Sequence, residues 1–128
     1  MIDLSFLLGT MDLVMPLGSG DWEIYPSLNP QMEDKIIDKS FNSALKKTDL
    51  KEYIDDQEIS QLVIVGMQTE YCIDSTIKSA FDLDISFIVP FGLTSTFDNS
   101  LMSSQTLIAI LQKYGKDALL NYCLLKTC

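Results

Sequence analysis

The chain predicts an α/β fold, a parallel sheet between two layers of helix, and three observations carry the prediction. The apolar run Leu62-Val63-Ile64-Val65 has the length and β-branched content of a buried strand. The segment after it carries Ile73, Ile77, Ala80 and Phe81 on one helical face. A second apolar run, Ile85 to Val89, follows and is ended by Pro90 and Gly92. Strands that alternate with helices form parallel sheets, and parallel sheets are covered on both faces.

The other elements follow the same logic. Residues 1–34 are punctuated by Gly9, Gly18, Gly20, Pro16, Pro26 and Pro30, which predicts a surface loop, with a short strand over Leu4 to Leu8. Lys35-Ile36-Ile37-Asp38 reads as a second strand and Ser43 to Leu45 as a helical turn. Thr48-Asp49-Leu50 opens a helix that runs to about Asp56, with a capping residue and acid in its first turn. Gln61 to Val65 is the clearest strand, and a helix from Cys72 to Leu83 follows, with Asp74 and Lys78 spaced for an i,i+4 pair. Thr94 to Asn99 is polar and turn-like. Leu101 to Lys113 and Asp117 to Leu125 read as two closing helices broken at Gly115. There is no internal repeat and no linker, so residues 1–128 are expected to form one domain.

Composition narrows the function. Hydrophobic residues make up 47% and charged residues 21%, an ordinary globular balance. The net charge is −9, every basic residue is Lys, and no basic patch forms. That excludes nucleic acid as a partner, because the phosphate contribution would be repulsive. With no His, the commonest metal ligand and the usual general base are both lacking. Cys72, Cys123 and Cys128 show no metal-ligand spacing, so neither metal nor cofactor is expected. Their odd number suits a reducing cytoplasm. The apolar start, Met1 to Gly9, carries Asp3 and has no positive flank, so it is not read as a signal peptide. No run approaches the ~18 apolar residues of a membrane span.

The sharpest chemical feature is Cys72. It falls where the Leu62–Val65 strand turns into a helix, at or just inside the helix N-terminus. Unpaired backbone N–H groups and the positive end of the helix dipole favour an anion there, and so favour a thiolate. The bland alternative is a small buried core residue. Lys39 also falls just after a strand, and adjacent parallel strands would bring it to Cys72, where an ammonium supports a thiolate or a developing oxyanion. Its bland alternative is a solvated charge. Thr69 and Thr76 are read as holding the turn and helix.

The pattern Gly66-Met67-x-Thr69-x-x-Cys72-x-x-x-Thr76, the upstream Asp38-Lys39-Ser40-Phe41-x-Ser43-Ala44 and the downstream Gly92-Leu93-Thr94-Ser95-Thr96-Phe97-Asp98 resemble the isochorismatase-like cysteine hydrolases, the superfamily of nicotinamidases and N-carbamoylsarcosine amidohydrolases. Trp22-Glu23-Ile24-Tyr25-Pro26 is similar to the family's segment before the lysine, and the likeness covers roughly residues 18 to 100. The resemblance implies a three-layer, Rossmann-like fold. It implies that Cys72 attacks a carbonyl carbon of a small amide or related substrate, with Lys39 as the triad lysine. Backbone N–H groups of Gln68 and Cys72 would form the oxyanion hole, beside a cis peptide at Met67–Gln68. Trp22, Phe41 and Tyr71 are candidate pocket-lining aromatics. The family's frequent oligomerisation implies a homo-oligomer.

The family's third catalytic residue is an Asp at the end of its first strand, in a segment of the form apolar-apolar-Asp-x-Gln. Only 38 residues precede Lys39 here, and none forms such a segment. Asp3 and Asp12 are the only acids ahead of Asp21. The chain therefore reads as an N-terminally shortened member lacking the first strand and helix. Three readings stay open: a cysteine hydrolase, a catalytically impaired remnant or binding subunit without the Asp, and a thiol sensor that would need Cys123 or Cys128 as a resolving thiol.

Overall fold

The computed structural model describes residues 5–9, 20 and 23–118. Trp22, Cys123, Cys128, Asp3, Asp12 and the expected helix beyond Ala118 lie outside the described residues. Every strand pairing is parallel, as the alternation of strands and helices requires. Strand β1 (Ser5–Gly9) runs beside β2 (Lys35–Lys39), in register from Ser5 opposite Lys35 to Gly9 opposite Lys39. Strand β3 (Leu62–Val63) pairs with β5 (Phe87–Ile88), Leu62 opposite Phe87. The same extended segment continues as β4 (Gly66–Met67) and changes partner, pairing with β6 (Thr94–Ser95). The backbone N–H groups of Leu62, Ile64 and Gly66 donate in turn to the carbonyls of Ser86, Ile88 and Leu93, which carries one strand across two partners. β2 and β3 make no ladder with each other, so the sheet is split between the lysine strand and the cysteine strand.

Strand β6 corrects the expectation of a polar turn over Thr94 to Asn99. A two-residue parallel ladder is too short to show a period of two, and its pairing depends on where β4 delivers its edge. The strand at residues 62–67 is also less enclosed than its composition predicts. Leu62 and Ile64 pack against the core, whereas Val63, Val65 and Met67 are at least half exposed. Alternation along the strand puts these three on the opposite face.

Three α-helices cover the described part of the sheet. Helix α1 (Leu50–Asp56) begins after Asp49, whose carboxylate binds Lys35 Nζ at 2.8 Å instead of capping the helix. Helix α2 (Asp74–Asp82) grows directly out of a wide turn at Thr69–Ile73, in which the Ile73 N–H donates to the Gln68 carbonyl five residues back. Ile73, Ile77 and Ala80 are buried as expected, but Phe81 is exposed. At about 100° per residue Phe81 lies ~80° round from Ile73, at the rim of the apolar stripe. Helix α3 (Ser104–Ala118) runs through Gly115, which was expected to break it. A mid-helix glycine costs only ~0.5–1 kcal/mol. A well-made start stabilises α3: Ser103 Oγ accepts the Thr106 N–H, and Asp98 Oδ1 accepts the Ser104 N–H at 2.7 Å.

Two apolar clusters form the core. One joins Ile73, Ile77 and Ala80 to Phe87 and Val89, and the other joins Ile37 and Ala44 to Leu50 and Ile54. Leu45, Leu62 and Ile85 pack against both and make them continuous across the split in the sheet. A polar tie reinforces this join. The Thr76 hydroxyl donates to the Cys72 carbonyl at 2.6 Å and accepts the Ala44 N–H at 3.0 Å, while Ser43 Oγ donates to Ser79 Oγ at 2.8 Å. These contacts clamp the loop after β2 onto α2.

Two outcomes follow. Thr76→Val keeps the shape of the side chain and leaves the buried Ala44 N–H without an acceptor, so urea unfolding is expected to show a loss of about 1–3 kcal/mol. Acid sensitivity is the second. The Ser104 backbone N–H, then the Ser104 hydroxyl, hold the Asp98 carboxyl below the usual carboxylate range, and a hydrogen bond from Lys35 does the same for Asp49. A carboxyl lowered in the folded state adds stability above the unfolded-state value of about 3.9, and that stability is lost as pH falls through the folded value. Asp98→Asn is therefore expected to lower the urea midpoint at pH 6 and to shrink the drop in midpoint between pH 6 and pH 3.

Candidate functional site

The site lies where β2 and β4 end, on the carboxyl side of the parallel strands. The chain leaving β2 delivers Lys39. The chain leaving β4 passes the Met67–Gln68 bond, which is cis as the resemblance implies, and enters the wide turn that carries Cys72. Lys39 Nζ lies 3.2 Å from Cys72 Sγ, across 33 residues of sequence. Both groups are partly buried, and the two residues singled out from the sequence are therefore brought together.

The geometry explains why the ammonium stays there. A lysine ammonium has three N–H donors. Lys39 directs them to the Phe41 carbonyl at 3.0 Å, the Asn42 carbonyl at 3.3 Å and the Cys72 sulfur. Among the described residues no carboxylate lies within ion-pair distance of Lys39 Nζ. The sulfur is thus the acceptor with capacity to carry full negative charge. The Sγ–H side faces Asn42 Oδ1 at 4.0 Å, a long contact that orients the thiol more than it stabilises it.

Local structure sets this arrangement at both ends. Thr69 Oγ1 donates to the Ser95 carbonyl at 3.1 Å and fixes the turn to β6, while Thr76 fixes the Cys72 carbonyl to the lysine loop. Both threonines thus hold the turn and the helix, as expected. Phe41 and Tyr71 flank the pair in sequence and are 37% and 51% exposed, which leaves both rings open to a ligand. Gln68 is extended, φ −94° and ψ 145°, and its carbonyl accepts the N–H groups of Tyr71 and Ile73. Among the described residues no three carboxylates or thiols converge as metal ligands would. No helix of the described residues is long and apolar enough to cross a membrane.

Sequence reading missed Asn42 and Ser79. Asn42 supplies a backbone and a side-chain oxygen to the site, and Ser79 accepts a hydrogen bond from Ser43 of the Asp38 to Ala44 motif. The one signal for Asn42 was position, in the short polar run after Lys39 where a strand ends beside the site.

Comparison with known proteins gives the family and the fold. A family described as the isochorismatase domain matches residues 6–119. Nicotinamidase 3 of Arabidopsis thaliana is 27% identical over 86 residues, 66% of this chain and 43% of that protein. A ureidoacrylate amidohydrolase of Acinetobacter baylyi is 33% identical over 67 residues, 52% of this chain and 27% of that protein. The chain thus spans less than half the length of these curated relatives. Among solved structures, an isochorismatase family protein superposes with a TM-score of 0.87 at 27% identity, covering 95% of this chain and 72% of its own. The nicotinamidase of Staphylococcus aureus shares the fold, with a TM-score of 0.77 at 22% identity over 95% of this chain and 75% of its own. The family match covers nearly the whole chain and the fold is shared: this chain belongs to the isochorismatase family.

Proposed function

We propose that the chain is a cysteine hydrolase of a small amide, ureide or related carbonyl compound, with Cys72 as nucleophile. The observation that carries this reading is the 3.2 Å contact between Lys39 Nζ and Cys72 Sγ at the carboxyl ends of parallel strands. The names of the relatives, a nicotinamidase and a ureidoacrylate amidohydrolase, favour a C–N bond beside a carbonyl.

The chemistry follows from the groups in place. Sγ attacks the carbonyl carbon as thiolate, and a C–S bond forms as the carbonyl π pair moves onto oxygen. Backbone N–H groups of Gln68 and Cys72 are assigned to that oxyanion. Collapse expels the amine, which takes up from water the proton that the thiol gave up on forming the thiolate, and leaves a thioester on Cys72. Water then attacks the thioester, releasing the acid and restoring the thiol. Lys39 holds the sulfur's negative charge at the start and at the end. Phe41 and Tyr71 are assigned to contact with the substrate. Three cysteines without secreted-type spacing support a reducing cytoplasm as its compartment, and the open apolar residues Val63, Val65 and Met67 support self-association.

A second reading rests on one specific observation. Among the described residues no carboxylate reaches Cys72 Sγ or Lys39 Nζ to relay the proton. The site would then bind a carbonyl compound without turning it over, as a catalytically impaired family member or a binding subunit. A general acid–base group is worth ~10²–10⁴-fold in rate, which is the difference at stake.

Turnover separates the two. With a panel of small amides and ureides, Cys72→Ala is expected to lower kcat by at least ~10³-fold. Lys39→Met is expected to lower kcat/KM by ~10²–10³-fold, through loss of charge stabilisation. Equal rates for the native chain and Cys72→Ala would overturn the hydrolase reading, and saturable binding without turnover would then establish the second.

A further inference from the structure

The pair that makes the thiol site also holds an oxidisable sulfur against an amine. Cys72 is the one cysteine among the described residues, and it is only partly buried, so a small solute in water can reach it. A sensor reading of the sequence calls for a second thiol to take up the oxidised sulfur, and Cys123 and Cys128 lie outside the described residues. The nitrogen of Lys39 stands in the place such a thiol would take, 3.2 Å from Sγ.

A sulfenic acid, the first product of thiol oxidation, is captured by a second thiol as a disulfide or by a nitrogen as a sulfenamide. A backbone nitrogen is one such partner, but here that route is obstructed. The Ile73 N–H, next in the chain after Cys72, donates to the Gln68 carbonyl at 3.2 Å inside the wide turn. Asn42 presents a side-chain oxygen to the sulfur, at 4.0 Å. Lys78 on α2 is taken up by Asp74. Lys39 differs from all of these. The Phe41 and Asn42 carbonyls hold its Nζ beside the sulfur at 3.0 and 3.3 Å, and among the described residues no carboxylate competes for it. A lysine amine is a nucleophile once it has lost a proton. Its flexible four-carbon stem lets Nζ close the remaining distance to sulfur.

We propose that Lys39 and Cys72 are a modification site, joined by a reversible S–N bond when the chain meets hydrogen peroxide. The thiolate sulfur attacks one peroxide oxygen, an S–O bond forms, the O–O bond breaks, and the departing hydroxide is protonated to water. Sulfur loses two electrons and the peroxide gains them. Lys39, having given one proton to solvent, then attacks sulfur through its nitrogen lone pair. The S–N bond forms, the S–O bond breaks, and the hydroxide leaves, taking a proton from nitrogen to become water. The linked pair is lighter than the reduced pair by two hydrogen atoms. A small thiol reverses the link by attacking sulfur and expelling the amine, and a second thiol then frees Cys72 and leaves as a disulfide with the first. This rests on the thiol site proposed above and adds a way to suspend it. The link occupies nucleophile and cation together, and it keeps the sulfur from the irreversible sulfinic state.

The test treats the full chain with hydrogen peroxide and reads Lys39 and Cys72 by peptide mass spectrometry without prior reduction. Iodoacetamide on an untreated sample measures the reactivity of Cys72 beforehand. The expected result is a cross-link between the Lys39 and Cys72 peptides, two hydrogen atoms lighter than the two peptides together and abolished by dithiothreitol. Lys39→Arg keeps a cation beside the sulfur, but its guanidinium stays protonated and does not attack. That variant is expected to form no link and to raise several-fold the fraction of Cys72 that dimedone captures as sulfenic acid. Lys78→Arg, on α2 and paired with Asp74, is expected to leave the yield of the link unchanged. Suppose iodoacetamide alkylates Cys72. If peroxide then leaves Cys72 unoxidised, carries it to sulfenic or sulfinic acid with Lys39 unlinked, or joins it to Cys123 or Cys128, the inference is overturned while the thiol site stands. If Cys72 of the native chain is neither alkylated nor linked, the thiol site itself is overturned and the inference falls with it.

Discussion

One hydroxyl holds the described structure together at its most consequential point. Thr76 Oγ1 stands between the Cys72 carbonyl and the Ala44 N–H, and so ties the cysteine turn to the loop that follows the lysine strand. The sheet does not do this job. β2 and β3 share no ladder, so no backbone hydrogen bond between them sets the distance from Lys39 to Cys72. The joint is made by side chains: Thr76, the Ser43–Ser79 pair, and the apolar residues Leu45, Leu62 and Ile85 common to both core clusters. A buried hydroxyl that both donates and accepts is costly to lose, because each partner it leaves is already shut off from water.

The electrostatics of the site depend on that joint. Lys39 spends two of its donors on the Phe41 and Asn42 carbonyls, and its third reaches sulfur. The carbonyls satisfy the ammonium without neutralising it, so its charge remains available to a thiolate and to the oxygen of a bound carbonyl. The next two cations in sequence follow the same rule with a different partner. Lys46 and Lys47 rest on an aromatic face, which again stabilises a cation without cancelling it. One short segment of a strongly acidic chain thus presents three cations without a carboxylate partner among the described residues, with Phe41 as the common support.

Much of this was legible in the sequence, and the failures have identifiable causes. The order of strands and helices and the position of Cys72 after a strand follow from local patterns, an apolar run, a helical stripe and motif spacing, whereas the approach of Lys39 to Cys72 was expected from adjacent strands and is made without a ladder between β2 and β3. Phe81 was read onto the buried face because four apolar residues at helical spacing do not reveal which one lies at the rim. β6 was read as a turn because Thr94 and Ser95 show no alternation, and only the edge of β4 makes them a strand. Gly115 was read as a break because its conformational cost is local and visible, whereas the capped start of α3 that outweighs it is spread over Asp98, Ser103 and Thr106.

By itself the sequence determined the α/β class, the parallel sense of the strands, the lack of any histidine to serve as base or ligand, and the position of Cys72 just after a strand. These are properties of composition, periodicity and spacing, which act over one or two helical turns or one strand. The tertiary structure alone decided what touches what across long separations: that Thr76 bridges to Ala44, that Asn42 faces the sulfur, that Asp49 serves Lys35 in preference to its own helix, and that Lys46 and Lys47 converge on one ring. The physical reason is that a polar side chain has several partners of similar energy within reach, and the packing of the two apolar clusters selects among them.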